Sequence, residues 1–477
     1  MNIQRRININ LWRAALTLVC ASGIGIASAD PPDRVARLGY MEGNVSFQPA
    51  GESEWVEAQL NRPLTTGDQI YTDRNARAEL EIGDATVRLD SDSTFNLLEL
   101  DDSIAQIELT HGVLNLDVHH VFEGQSYEID TPTLAFVVNR EGEYRIDIAP
   151  NGDSTMVTVF DGAGDVYGEN DASYSVDAGY SYRFHDSALH DYEVLDLPRA
   201  DDFDSWCDAR EHRYEQSPSR RYVSSDVIGY QDLDNYGAWD TVDTYGSVWF
   251  PTRVEAGWAP YSSGHWVWID PWGWSWIDSA PWGFAPFHYG RWAYVRNRWG
   301  WIPGPRNVRA IYAPALVGFI GGGNFSVSIS GGGPVGWFPL GPRDVYVPWY
   351  HGSRNYFRDI NMRNTTVINN VNITNIYNNY SNGRPIRNVS YAYRNDVRAV
   401  TAVPRAAFVG GGSVRSQRIQ VNQAELSRSH DVGRIAIAPI AASAVAANAT
   451  RARAVPQRAV LDRRIIARRA PPAKLAP

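Results

Sequence analysis

Ala78-Glu79-Leu80-Glu81-Ile82-Gly83-Asp84-Ala85-Thr86-Val87-Arg88-Leu89 alternates apolar and polar side chains on both sides of a Gly-Asp step. Successive side chains of a strand point to opposite faces, so this period predicts two strands, with apolar residues on one sheet face and mostly polar ones on the other. Gly83-Asp84 predicts the hairpin turn between them. The same alternation returns in Ile104–Leu109, Tyr144–Ile148 and Met156–Phe160, with Asn151-Gly152-Asp153 as a second turn. Short strands at even spacing predict a mainly β domain over residues 36–186, built as a sandwich, roll or solenoid.

Downstream, a second pattern governs Tyr245 to Pro305. Gly257-Trp258-Ala259-Pro260-Tyr261 recurs 26 residues later as Gly283-Phe284-Ala285-Pro286-Phe287, and Gly264-His265-Trp266 recurs as Gly290-Arg291-Trp292. Trp272-Gly273-Trp274 recurs as Trp299-Gly300-Trp301, where a third, incomplete copy starts. A near-fixed period marks one supersecondary unit used repeatedly. It predicts an aromatic-rich domain of β-hairpin repeats over 241–350, rich in the chain's 17 tryptophans. Within Gly264–Ile269, Trp266 and Trp268 fall on one face and Val267 and Ile269 on the other, so both faces of this strand are expected to be covered.

Gly67-Asp68, Gly83, Leu109 to Leu114, Thr131-Pro132, Gly142-Glu143-Tyr144-Arg145 and Val159-Phe160-Asp161-Gly162 stand in the order shown by FecR domains of bacterial envelope proteins, and this stretch resembles that family. The resemblance implies an extracytoplasmic, non-enzymatic β domain. In the iron-dicitrate regulators it follows a cytoplasmic anti-sigma segment and a membrane helix. Here only Met1–Arg13 precedes an apolar run, and the resemblance is not extended to that activity. Trp239 to Tyr350 resembles an uncharacterised Trp-rich domain found after FecR domains in exported proteobacterial proteins. The match is carried by Pro281-Trp282-Gly283, His288-Tyr289-Gly290-Arg291-Trp292 and Gly336-Trp337-Phe338-Pro339-Leu340-Gly341-Pro342. It implies no particular activity.

Residues 1–29 read as a signal peptide: Arg5, Arg6 and Arg13 precede the apolar stretch Ala14–Ala27, and Ala27-Ser28-Ala29 offers a small-residue cleavage site. Export to the periplasm, cell envelope or medium is expected, with no transmembrane segment after cleavage. Cleavage leaves Cys207 as the one cysteine, so the fold must stand without an internal disulfide. Residues 199–240 read as a helical and polar connector, with a helix over Asp201–Tyr214 capped by Asp201 or Asp202. Phe203, Trp206, Cys207 and Arg210 share a stripe of that helix, which predicts a buried structural thiol. The segment 351–383 is Asn-rich and reads as an added strand or polar ladder, and Asn324–Ser330 reads as a strand between glycine triplets. Residues 384–477 hold 17 basic and 4 acidic residues, against a net charge of −10 for the whole chain. They read as a basic, disordered tail, with a short helix near Gln457–Arg469, able to bind anionic polymers. The acidic remainder excludes specific nucleic-acid binding.

No serine or cysteine nucleophile motif, phosphate loop or selected carboxylate pair emerges, so no catalytic residue, cofactor or metal is assigned. His119 and His120 are adjacent and point to opposite sides, which is poor geometry for sharing one metal. His288 reads as a hydrogen-bonded turn histidine. Flat apolar rings with a polar edge suit sugars or peptide side chains. The candidate ligand-binding residues are Trp258, Tyr261, Trp266, Trp268, Arg291, Trp292 and Tyr294, with Trp268 and Tyr294 expected to be exposed. The expectation is a non-enzymatic envelope binding or scaffold protein whose partner is an envelope protein or glycan. The alternatives are a carbohydrate-active enzyme or glycan-binding module, and a FecR-like envelope signalling component.

Overall fold

The computed structural model describes residues 29–321, 333–366, 370–382, 389–433 and 435–472. Residues 1–28 of the expected signal peptide 1–29, and the expected strand Asn324–Ser330, lie outside the described residues. The alternating stretches are strands: Arg77–Ile82 and Ala85–Leu89 pair antiparallel across Gly83-Asp84. Gly142–Ile148 and Thr155–Val159 pair across Asn151-Gly152-Asp153. The chain writes one or two strands into one sheet, then crosses to a second, and so builds two nine-stranded sheets. Most neighbours are antiparallel, whereas Ser126–Asp130 runs parallel to Ile104–Glu108. Leu80, Val87, Leu116 and Ile146 from the first sheet and Phe95, Ile107, Ile129 and Phe136 from the second share one core. The apolar period thus faces the interior of a sandwich.

The polar face is not left to solvent. On the first sheet Glu79, Glu81 and Arg88 point away from the core yet are buried. Over Glu79 and Arg88 the cover is a helix, Asp202–Glu215, which Asp201 caps by accepting from the Phe203 and Asp204 amides, while Glu81 accepts from the Gly229 amide at 2.8 Å. The helix lies across the sheet through charge pairs. Arg88 donates to Glu79 at 2.9 Å and to Glu211 at 2.7 Å, Arg210 reaches Glu79, and Arg145 donates to Asp204 at 2.7 Å. Cys207 is buried beneath it, as the stripe predicts, and burial pushes its thiol up, away from thiolate chemistry.

On the second sheet the cover comes from the other end of the chain, which corrects the expectation of a disordered tail for its described residues. Ser46 donates to the Ala454 carbonyl at 2.6 Å, and the Ile466 amide donates to the Thr131 carbonyl at 2.8 Å. The Arg468 and Arg469 amides donate to one Glu128 oxygen at 2.9 and 3.0 Å. The composition argues for disorder because this segment cannot form its own core. It does not need one, since the sheet supplies the partners its backbone requires.

This strap buries Asp130, whose carboxyl is raised to about 9 by burial and by the neighbouring Glu128 carboxylate. The folded state therefore favours the protonated form. The stability linked to Asp130 is full below the unfolded carboxyl value near pH ~3.9 and is lost as pH rises through about 9. Asp130→Asn cannot ionise, and its side-chain oxygen can still accept from Gln106, which stands 2.8 Å from the carboxylate. The thermal midpoint of the variant should fall less with rising pH over that window than wild type. Parallel curves would remove Asp130 from the account.

The second domain holds one four-stranded sheet ordered Gly237–Val242, Gly246–Pro251, Arg298–Ile302, Arg291–Val295. The hairpin Gly264–Ile269/Gly273–Asp278 stands as its own two-stranded sheet. The two sequence repeats are therefore two hairpins. The second turns at Arg296-Asn297, both in the left-handed region with φ of 51° and 60°, the pair a two-residue primed turn requires. A further sheet pairs Val335–Pro339 and Val317–Gly321 with Thr401–Val403 and His430–Val432. The basic segment thus contributes two edge strands here, a second departure from disorder. The Asn-rich segment departs too. It contributes helices, Arg354–Met362 and Asn370–Ser381, rather than a strand, with Phe357 packed against Ile373, Ile376 and Tyr380. Asparagine-rich strands pair poorly, whereas Ile373, Ile376 and Tyr380 recur at helical spacing. Among the described residues, no helix is long and apolar enough to cross a membrane.

Candidate functional site

A cleft of about 720 Å³ opens where the first domain meets the Gly264–Asp278 hairpin. Pro32, Pro49 and Leu100 line one side, and Trp268, Ile269 and Pro271 the other, with Ala444 from the basic segment. The hairpin positions Trp268 through its register: Trp266 pairs with Trp276 and Trp268 with Trp274. The Trp266–Trp276 rings turn into the core. The Trp268 ring stays half-buried, edge-on to Trp274 at 5.5 Å, and its indole N–H donates to Asp270 at 3.0 Å.

The cleft carries carboxylates around this ring. Asp68 accepts from the Thr65 and Ala50 amides, both at 2.9 Å, and burial raises its carboxyl to about 6 despite the nearby Arg62. Burial would also raise Asp101, but hydrogen bonds from Ser103 and Ile104 outweigh it and hold the group below the usual range. Asp102 and Asp270 lie along the same lining. An aromatic face bordered by carboxylates suits a ligand that stacks and donates hydrogen bonds.

The other sequence candidates fall elsewhere. Tyr261, Trp266, Arg291 and Trp292 are core residues, which corrects their reading as surface contacts. Tyr261 donates to the Phe287 carbonyl at 2.8 Å and so ties the two repeat copies together. Trp292 donates to the Pro286 carbonyl at 2.8 Å. Arg291 donates to the Gly290 carbonyl at 2.9 Å, and burial lowers its guanidinium to about 10. Trp258 is half-buried against Trp292, and Tyr294 is half-buried beneath the Arg398 guanidinium. Of the seven, Trp268 lines the cleft. His288 is neutral, lowered to about 3 by burial, with Nδ1 at 2.8 Å from the Ala313 carbonyl. Sequence reading missed the opposite wall at Pro49 and Leu100, because no local signal marks which strand ends will meet a hairpin some 170 residues later.

Residues 68–163 match the family model described as FecR protein, and residues 230–344 match a family of unknown function (DUF6600). The chain carries a FecR domain followed by an uncharacterised second domain. Two crystal structures of a "putative anti-sigma factor" from Parabacteroides distasonis ATCC 8503 also match. In the first, the match spans 27% of this chain and 58% of that one, at 14% identity and a TM-score of 0.23. In the second it spans 39% and 99%, at 13% identity and a TM-score of 0.24. A comparison with curated proteins found no match.

Proposed function

We propose that this chain is an exported, non-enzymatic regulatory component of the cell envelope, and that the Trp268 cleft is where it engages its partner. The observation that carries the reading is the FecR match over 68–163, in a chain with an apolar cleft that draws its walls from that region and from the Trp-rich hairpin. FecR proteins are envelope-associated, and their character is regulatory rather than catalytic. The second domain supplies the cleft's aromatic side chain, Trp268, since the first-domain residues that line it include no aromatic ring. Binding surfaces draw most of their energy from such partly exposed aromatic anchors.

A glycan ligand is the second reading. It is favoured by one observation, the Trp268 ring in a cleft also lined by Asp270 and Asp102, because sugars stack on indoles and donate hydroxyls to carboxylates.

Trp268→Ala tests the site under both readings. Retention of the envelope partner by the immobilised chain should fall at least tenfold, while stability changes by less than about 2 kcal/mol, as for a half-buried surface position. A strain carrying the variant should reproduce the transcript changes of the deletion strain. Binding to a glycan array, lost in the variant with unchanged transcripts, would select the glycan reading. Full retention of every ligand would rule out the cleft.

A further inference from the structure

A second cavity, of about 450 Å³, lies on the far side of the first sheet, where the covering helix crosses the end of strand Gly112–Val118. Three ligating groups converge there. Asp117 is the last residue but one of the strand, His119 follows the strand, and Glu211 projects from the helix. Their ligand atoms all lie within 4.8 Å of one another, with His119 Nε2 at 2.8 Å from Glu211 Oε1 and 3.9 Å from Asp117 Oδ1. His120 turns away to Glu141, so the histidine pair does divide between two sides and leaves His119 free to act with carboxylates.

We propose that Asp117, His119 and Glu211 form a binding site for a divalent transition-metal cation such as zinc. The donor set is one imidazole and two carboxylates, which suits borderline cations and leaves coordination positions open toward the cavity. The wall is strongly acidic, with seven carboxylate residues against one arginine, Arg220. Arg88 holds the other oxygen of Glu211 at 2.7 Å and so fixes the orientation of Oε1, the part an outer partner plays for a ligating carboxylate. Independently, Asp84 lines the same cavity at 4% exposure with Ser225 as its hydrogen-bonding neighbour, and its Oδ2 makes no well-formed hydrogen bond among the described residues. A buried carboxylate oxygen so weakly matched beside a ligand cluster offers a further partner to a cation or its bound water.

The test is titration of the purified full chain with Zn²⁺ and with Co²⁺ alone, by calorimetry and by the visible spectrum of cobalt. One equivalent should bind. His119→Ala and Asp117→Asn should each weaken binding about tenfold or more, and His120→Ala should leave it unchanged. Asp117→Asn removes an excess negative charge, so it keeps the test valid should another variant fail to fold. Absence of binding at micromolar metal, or equal affinity in wild type, His119→Ala and Asp117→Asn, would overturn the proposal.

Discussion

Arg88→Ala should destabilise the protein by about 3–5 kcal/mol, the cost of removing one partner from a buried ion pair. The Arg88 and Glu79 side chains are both fully buried, and Arg88 also reaches Glu211 on the covering helix. Its loss leaves Glu79 dependent on Arg210 and leaves Glu211 with His119 alone. The alternation of residues 77–89 places these charges on the outward face, and the helix then removes them from water. Their worth is therefore one of matching: the pair gains little over an apolar substitute, while half of it costs a great deal. Urea unfolding should show a lower midpoint with an unchanged slope. Arg88→Lys should recover part of the loss, because an ammonium can pair with Glu79 but cannot span both carboxylates as the guanidinium does. A loss below about 1 kcal/mol would mean that the helix is not docked through this lattice.

Trp266→Ala should also cost about 3–5 kcal/mol, through the cavity left in the second core. The Trp266 ring meets Trp276 at 5.5 Å, Phe319, Trp337 and Phe408 at 5.4 Å each, and Trp349 at 6.2 Å. Most of these contacts are tilted or edge-to-face, the geometry that adds to simple area burial. Its indole N–H has no partner among the described residues. Trp266→Phe should accordingly be much milder, since it keeps a ring in place and deletes an unmatched donor. Calorimetric midpoints of the two variants separate these effects. Because Phe408 lies in the basic segment, Phe408→Ala should weaken the same core, which a flexible tail could not do.

The strands of the first domain were legible because an extended chain turns every second side chain to the same face, and a helix does not. What covered their polar face was not. Glu79 and Arg88 alternate in the same way whether water or a helix lies above them, and the helix stands more than 100 residues further on. The helix itself was legible from the Asp201 cap and the Phe203–Cys207 stripe, and the structure places both as read. The tail misled for a related reason. Its arginines and alanines describe a segment with no core of its own, and composition is silent on edge strands supplied to another sheet. In the second domain the repeat revealed the hairpins but not which rings face out. Trp266 and Trp268 share one strand face, yet Trp266 is enclosed by Phe319, Trp337 and Phe408, and Trp268 ends at the cleft. The metal-ligating group was hidden by distance, for His119 and Glu211 are 92 positions apart.

Position 268 is proposed to face a partner in the envelope. A photoreactive amino acid placed there in living cells tests it directly, with the same group at exposed Tyr180 on the first domain as the reference. A distinct adduct to one envelope macromolecule at 268, absent at 180, is the predicted result. No adduct at 268, or the same adducts at both positions, would contradict it.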